Sequence, residues 1–253
     1  MNLFGSTYKV VWTPSLINSV FENSTLNIEK VRWSLLTRFF GADRRRKHEY
    51  TNAHPDASAC LHNGLLEGEG PSQTPLTAAL KSRIQECMPN LVSFSESIVD
   101  QNEWERAACS LVKPKYGHDS PSVEVSLFTL IRNFTGHVVL PTLVGSEFLQ
   151  AYPSTLDDLW DLDGGFKYMI LGLPRLLGIP SLTRAHVARR RLLSAMDSFH
   201  RGLDMNAAGD ESEQPWRDLS DVGEMMTERS AVWSKRCTSR AIKASCDLSL
   251  LWA

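Results

Sequence analysis

The chain has 253 residues, of which 42% are hydrophobic and 22% are charged, and its formal net charge is −2 at pH 7. This balance is that of an ordinary globular protein, which excludes a disordered chain, and the length allows one large domain or two modest ones. Because a nucleic-acid-binding protein is expected to carry a basic surplus, the charge favours no nucleic-acid partner.

The sequence predicts neither a signal peptide nor a membrane span. The residues after Met1 lack the charged start and apolar run of a signal peptide. The most apolar later stretch, residues 168–180, is interrupted by Pro174 and Arg175 and is too short to cross a bilayer. The cysteines have no paired spacing and are expected to be reduced intracellular thiols; they are Cys60, Cys87, Cys109, Cys237 and Cys246.

The first predicted elements are a β-type run over residues 8–12 and a helix that begins at Pro14. A second helix is predicted over residues 26–40, where apolar residues recur on one side. Residues 41–75 are rich in Asp, Asn, His, Gly, Pro and Ser, so a long exposed loop is predicted there. Helices are then predicted over residues 76–88, 91–112 and 123–140.

The second half of the chain is predicted to be helical almost throughout. One helix covers residues 154–171, loosened at Gly164 and Gly165, and a basic amphipathic helix covers residues 182–202. A polar, acidic loop over residues 206–216 precedes a helical pattern that continues to the last residue. Together these elements predict a mainly α fold with a small N-terminal β element.

Residues 239–253 repeat apolar side chains at three- and four-residue spacing, as a helix that faces a core does. The stripe consists of Ala241, Ala244, Leu248, Leu251 and Trp252. Neither a Gly or Asn cap nor a Pro follows it. We therefore expect this chain to be the front part of a longer protein.

Asp157, Asp158 and Asp161 form the sharpest local motif. Their spacing places the carboxylates on one side of a helix, and the segment resembles the aspartate-rich motif with which class I terpene cyclases hold magnesium against a diphosphate. The other interpretation is a solvated acidic face near a helix start, where the helix dipole favours negative charge. The second metal motif of those cyclases is absent from the sequence, which favours the acidic face.

The remaining candidate side chains do not form a recognisable active site. His48, His54 and His62 share the predicted loop without the spacing of a zinc site, and His137 and His186 fall in predicted helices as structural residues. The sequence contains no Gly-x-Ser-x-Gly elbow, no Walker loop and no Gly-x-Gly-x-x-Gly turn. We therefore assign no catalytic, cofactor-binding or metal-binding residue from spacing alone.

Four segments carry a resemblance in their order and local sequence: residues 8–17, 123–140, 156–174 and 241–253. The third reads Leu-Asp-Asp-Leu-Trp-Asp-Leu-Asp-Gly-Gly-Phe and leads to Gly172-Leu173-Pro174. Together they resemble fungal microsomal cytochrome P-450 monooxygenases. The resemblance implies that residues 8–17 are the family's first strand pair with the helix that follows, and that residues 123–140 are a helix that passes near the heme. It also implies that residues 156–174 lead to the turn before a substrate-access lid and that residues 241–253 begin the long distal-heme helix.

The resemblance also implies particular roles. In the family, the helix near the heme often carries Trp-x-x-x-Arg, whose Arg meets a heme propionate, and here Phe128-x-x-x-Arg132 stands in that place. The implied parent reaction inserts one oxygen atom into a hydrophobic substrate, with heme, dioxygen and electrons from a reductase, at the endoplasmic reticulum membrane. Secondary-metabolite or sterol metabolism is the implied pathway.

The strongest family motif is missing, because no Phe-x-x-Gly-x-x-x-Cys-x-Gly loop is present to supply the heme thiolate. The resemblance thus implies an incomplete P-450 domain over residues 1–253, without membrane anchor or heme-ligand loop, truncated within the distal-heme helix. Such a chain is expected to bind no heme stably and to be inactive alone. Two alternatives remain open: a non-catalytic binding or regulatory remnant, and a magnesium-dependent diphosphate enzyme that uses the aspartate cluster.

Overall fold

The structure is a computed structural model. It describes residues 29–66, 75–113, 122–209, 215–216 and 218–252, together with residues 2, 3, 6, 7, 13, 14, 16 and 19. The strands are β1 (Asn2–Leu3), β2 (Ser6–Thr7), β3 (Leu111–Lys113) and β4 (Ser122–Glu124). The helices of the first half are α1 (Glu29–Arg38), α2 (Lys47–Leu66), α3 (Pro75–Cys87) and α4 (Glu103–Ala107). Those of the second half are α5 (Leu127–Val144), α6 (Ser146–Ala151), α7 (Thr155–Gly164), α8 (Phe166–Ile170), α9 (Pro180–Ala208), α10 (Glu224–Arg236) and α11 (Arg240–Trp252).

The predicted mainly α architecture is confirmed, with a small amount of antiparallel sheet. The strands form two separate antiparallel pairs, β1 with β2 and β3 with β4. The β-type run predicted over residues 8–12 lies outside the described residues. Short 3-10 turns also occur, for example Arg175–Leu177.

The central element of the core is α9, which packs against α7 on one side and α11 on the other. Its buried stripe recurs every three or four residues and contains Leu182, Ala185, Ala188, Leu192, Met196 and Phe199. The predicted loosening at Gly164 and Gly165 is confirmed, since α7 ends at Gly164 and α8 begins at Phe166. A Cβ on Gly165 would collide with the Ala185 side chain, so this glycine allows the close approach of α9.

The prediction of an exposed loop over residues 41–75 is wrong, because most of this stretch forms α2. Its polar composition and the internal Pro55 lower its helix propensity. Tyr50, Ala53 and Ala57 are nevertheless buried on the face that packs along α10. Tertiary packing of this face therefore stabilises a helix that the local sequence disfavours.

The long helix predicted over residues 91–112 is also wrong. This stretch contains a 3-10 turn, the short helix α4 and strand β3. Phe94 and Cys109 have φ angles of 54° and 52°, a left-handed backbone that a continuous helix does not contain. Asn102 and Glu105 form a capping box, which begins α4 at Glu103.

Helix α5 is the one helix in the described part that is long and apolar enough to cross a membrane, judged by length and composition. Half of its 18-residue window is buried inside the protein. Such burial is also found in the core helices of proteins that do not span a membrane.

Candidate functional site

A network of buried charges joins four helices. Asp247 on α11 is fully buried and accepts hydrogen bonds from Arg229 Nε on α10, at 2.5 Å, and from His200 Nε2 on α9, at 2.9 Å. Arg229 also donates from Nη1 to the carbonyl oxygen of Ala57 on α2, at 2.8 Å. We call Arg229, Asp247 and His200 the Asp247 network.

Burial and pairing together decide the protonation states in this network. Burial opposes ionisation of Asp247, but the charge of Arg229 and the hydrogen bonds from both partners outweigh it and hold the pKa of Asp247 below its ordinary value. Burial lowers the pKa of His200, and the hydrogen bond with Asp247 opposes this only in part. The neutral imidazole is therefore assigned its proton on Nε2, and Nδ1 has no hydrogen-bond partner within the described part of the chain.

A cavity of about 300 Å³ lies beside this network, among residues of α1, α2, α10 and α11. Its apolar lining includes Leu35, Leu36, Phe40, Leu61, Leu250 and Trp252. Its polar lining includes Arg32, Tyr50, His54, Ser58, Arg229 and Ser249. We call this cavity the Arg229 pocket. A mainly apolar cavity with a few polar groups is the usual form of a small-molecule site.

Tyr50 supplies a buried hydroxyl to the lining of the Arg229 pocket. Its ring lies 5.2 Å from the Trp33 ring and 4.7 Å from the His54 ring, which holds the side chain in place. Tyr50 is 1% exposed. Burial raises the pKa of Tyr50, so the hydroxyl remains protonated and able to donate at neutral pH.

The three histidines predicted to share a loop lie instead on α2. His48 is exposed, and the side chain of His62 is outside the described residues. His54 lines the Arg229 pocket and hydrogen-bonds Ser58 Oγ at 3.2 Å. Burial lowers the pKa of His54, and the charges of Arg32 and Arg229 lower it further, so the imidazole is neutral at pH 7.

The aspartate cluster lies on α7, where it pairs with arginines of α9. Asp158 is buried, and its Oδ1 accepts from Arg191 Nη1 at 3.4 Å. Asp161 Oδ1 accepts from Arg184 Nε at 3.2 Å, while Asp157 is exposed. Burial raises the pKa of Asp158, against the opposing charge of Arg191. These pairs join α7 to α9 and argue against a magnesium site, because two of the three carboxylates already have cationic partners.

The histidines predicted within helices, His137 and His186, lie on α5 and α9. His137 Nδ1 is 3.5 Å from the Glu103 carboxylate, and His186 Nδ1 is 3.2 Å from Arg189 Nη2. Burial lowers the pKa of both, and with the charge of Arg189 it lowers that of His186 to about 4. Among the described residues, no three His, Cys, Asp or Glu side chains are grouped so that they could hold a metal ion.

The first turns of α5 expose a second candidate surface. Leu127, Phe128 and Ile131 are 68%, 75% and 42% exposed. Beside them, the Arg132 guanidinium lies 4.4 Å from the Trp160 ring and 5.6 Å from the Phe128 ring. Arg132 Nε is buried without a hydrogen-bond partner, and no carboxylate of the described chain forms an ion pair with this arginine. We call these five residues the Arg132 surface.

The cysteines are all free thiols. Cys246 lines the Arg229 pocket, where burial raises its pKa far above the ordinary value. Burial also raises the pKa of Cys60, and it raises that of Cys237 to about 11. Buried thiols of this kind are protonated and unreactive at neutral pH.

The sequence predicted none of the residues of the Asp247 network. One signal was present: Asp247 is a charged residue on the apolar stripe that contains Ala244 and Leu251. Its partners Arg229 and His200 lie 18 and 47 residues away along the chain, so no local spacing identifies them. No family model, no curated protein and no solved structure matches this chain.

Proposed function

We propose that this chain is the N-terminal portion of a cytochrome P-450-like monooxygenase and that it is catalytically inactive by itself. The Arg132 surface is the observation that carries the proposal. In the family that the sequence resembles, an arginine of the corresponding helix meets a heme propionate, and Arg132 offers a cation without a carboxylate partner in the described chain. The exposed apolar side chains around it support a surface that contacts an anionic, largely apolar group.

A second feature supports the same proposal at the predicted Gly-Leu-Pro turn. Gly172 has a φ of +72°, a left-handed conformation that suits glycine, and the turn leads into exposed apolar residues. Leu176 is 96% exposed and Leu177 is 53% exposed. An exposed apolar segment at this position is expected of a substrate-access lid. The proposed parent reaction is oxidation of a hydrophobic substrate in sterol or secondary-metabolite metabolism, by analogy with the family.

The residues present do not fit a heme-thiolate centre. Such a centre requires a cysteine that ionises and faces an open heme site. Cys246 and Cys237 do not meet this requirement, because burial raises the pKa of both thiols and opposes their ionisation. Cys109 is exposed, but it lies beside a strand and not in a ligand loop. We therefore assign no oxygen-activating step to this chain.

The proposal is tested on the transcript and on the protein that it encodes. We expect the coding sequence to continue past the Ala253 codon, directly or after an intron, and to encode a Phe-x-x-Gly-x-x-x-Cys-x-Gly loop. The extended protein with heme, reduced under carbon monoxide, should show the thiolate-type Soret band. The 253-residue chain is the matched control and should not show the band.

Two outcomes would contradict the proposal. A continuation without such a loop over the length of a gene would remove the relation to P-450 enzymes. A thiolate band from the 253-residue chain, lost when one of its cysteines is substituted, would show that the chain is not inactive.

A second candidate function is non-catalytic binding of a small molecule, and the Arg229 pocket favours it. The pocket is formed by described helices of this chain alone, and the Asp247 network beside it fixes α2, α9, α10 and α11 to one another. This function requires no heme and no further segment. Binding of any small molecule that is lost on filling the pocket would support it.

A further inference from the structure

We infer that the Arg229 pocket binds a small, mainly apolar carboxylate. This inference rests on the second candidate function, binding without catalysis, and names the class of ligand. It depends on three features of the described residues: the apolar walls, the buried Tyr50 hydroxyl, and the balance of charges around the pocket.

The walls determine the body of the ligand. The cavity has a volume of about 300 Å³, which is at the lower end of the usual size of ligand sites. It is lined by six apolar side chains, five on α1, α2 and α11 and one, Phe40, just after α1. Trp252 forms part of the wall, and its ring stacks on the Phe166 ring with 5.3 Å between the ring centroids. A flexible alkyl chain or a single ring system fits such a volume, whereas a large cofactor does not.

Tyr50 determines the polar end of the ligand. Tyr50 lines the pocket, and burial raises the pKa of its hydroxyl, which is therefore protonated at neutral pH and able to donate to a ligand. An acceptor oxygen on a ligand in the pocket would satisfy this donor, and a carboxylate oxygen accepts more strongly than a neutral one.

The charges around the pocket favour an anion over a cation. Arg32 and Arg229 line the pocket, and no Asp or Glu is among its described lining residues. Arg229 donates its hydrogen bonds to Asp247 and to the carbonyl oxygens of Ala57 and Cys246. It therefore contributes a positive electrostatic potential to the pocket and not a direct hydrogen bond to the ligand. Arg32 is exposed on α1 and is the cation that a carboxylate would approach, with Glu29 opposing it in part.

The neutral state of His54 is consistent with this field. Burial is the largest cause that lowers the pKa of His54, the charges of Arg32 and Arg229 lower it further, and the charge of Glu29 raises it. A neutral imidazole can donate one hydrogen bond to a carboxylate without adding a charge that needs its own partner. Tyr50, Arg32 and His54 thus line the same pocket, with His54 also hydrogen-bonded to Ser58 Oγ.

The test compares three ligands of equal chain length: decanoate, decan-1-ol and decylammonium. Isothermal titration calorimetry on the full chain at pH 7 should show decanoate binding at least about tenfold more tightly than decan-1-ol, because a hydrogen bond to a charged group is the stronger one. Decylammonium should not bind. Tryptophan fluorescence should change on decanoate binding, because Trp252 lines the pocket.

Two variants locate the carboxylate. Tyr50→Phe keeps the ring contacts and removes only the hydroxyl, and it should weaken decanoate binding about tenfold and decan-1-ol binding by clearly less. Arg32→Gln changes an exposed residue and should weaken decanoate binding in the same direction without affecting the fold. The matched control is Arg45→Gln, an exposed arginine outside the pocket, which should bind decanoate as the parent chain does.

The inference is overturned if decan-1-ol binds as tightly as decanoate, or if neither Tyr50→Phe nor Arg32→Gln weakens decanoate binding. The first of these results would leave the binding function in place and reject only the carboxylate. If none of the three probes binds, both the inference and the binding function at this pocket fail. Circular dichroism at 222 nm on each variant verifies that lost affinity is not lost fold.

Discussion

Asp247 lies at the centre of a hydrogen-bond network that connects four helices. Its carboxylate is fully buried and pairs with Arg229 and His200, and Arg229 in turn holds the carbonyl oxygen of Ala57. A buried ion pair adds little net stability compared with an apolar replacement, but removal of one partner leaves an uncompensated charge in the core. The Asp247 network is therefore more sensitive to single substitutions than to joint replacement.

We expect Asp247→Asn to lower the free energy of unfolding by about 3–5 kcal/mol, because it leaves the buried Arg229 guanidinium without its counter-charge. Urea denaturation followed by circular dichroism at 222 nm measures the change. The matched control is Ser245→Ala on the same helix, a buried residue whose hydroxyl donates to the Ala241 carbonyl oxygen at 2.8 Å and to no other acceptor in the described part of the chain. Its effect should stay within about 1 kcal/mol. Equal effects of the two substitutions would contradict the role of Asp247.

At the scale of elements, the burial of α5 changes along its length. Its second half is buried in the core at Leu140, Leu143 and Val144. Its first turns instead expose the apolar side chains of the Arg132 surface, which bury little area within the chain itself. These turns are the part of the helix that the proposed function assigns to contact with another group.

We expect the double variant Phe128→Gln/Ile131→Gln to bind less of the dye 8-anilinonaphthalene-1-sulfonate and to self-associate less than the parent chain. The reason is that Phe128 is 75% exposed and Ile131 is 42% exposed and neither belongs to the buried core, so their replacement removes an apolar patch and leaves the core intact. Gln is a good helix former, and helix content should therefore not fall.

The control for this pair is Val99→Gln, which replaces an apolar residue that is 86% exposed but lies outside the Arg132 surface. It should change dye binding by much less than the double variant. Dye fluorescence and sedimentation velocity measure the two effects. If Val99→Gln and the double variant reduce dye binding equally, the exposed apolar area is general and the Arg132 surface has no special role.

At the scale of the whole molecule, four histidines make stability depend on pH. Burial lowers the pKa values of His54, His137, His186 and His200, and that of His186 falls to about 4. Between the ordinary histidine pKa of about 6.5 and these lower values, the unfolded chain binds protons that the folded chain does not. The free energy of unfolding therefore falls as the pH drops through this window.

We expect urea midpoints to be clearly lower at pH 5 than at pH 7. His186→Asn should make the midpoint less dependent on pH, because it removes the side chain for which the pKa falls to about 4. His48→Asn on the exposed face of α2 is the matched control and should keep the slope of the parent chain. The low pKa of Asp247 affects stability only below its ordinary range, at more acidic pH. A midpoint that is unchanged or higher at pH 5 would contradict this account.

The sequence by itself determined the helical class of the fold and the break at Gly164 and Gly165. The stripe predicted for α11 is only partly the buried face, because Ala241 is exposed and residues 242–248 are buried all round the helix. The helical class and the break follow from residues a few positions apart, where periodicity and glycine geometry act locally. The resemblance to P-450 enzymes likewise depends on short segments and stays a proposal, which the Arg132 surface supports.

Only the tertiary structure decided that residues 47–66 form a helix and that a pocket lies beside it. Glu49 on that helix accepts a hydrogen bond from the backbone N–H of Ser239, 190 positions away, and Arg229 reaches the carbonyl oxygen of Ala57 across 172 positions. Local propensity opposes this helix, and burial against α10 outweighs it. Contacts between distant residues leave no periodic pattern in the sequence, so the Asp247 network and the Arg229 pocket appear only when the chain is folded.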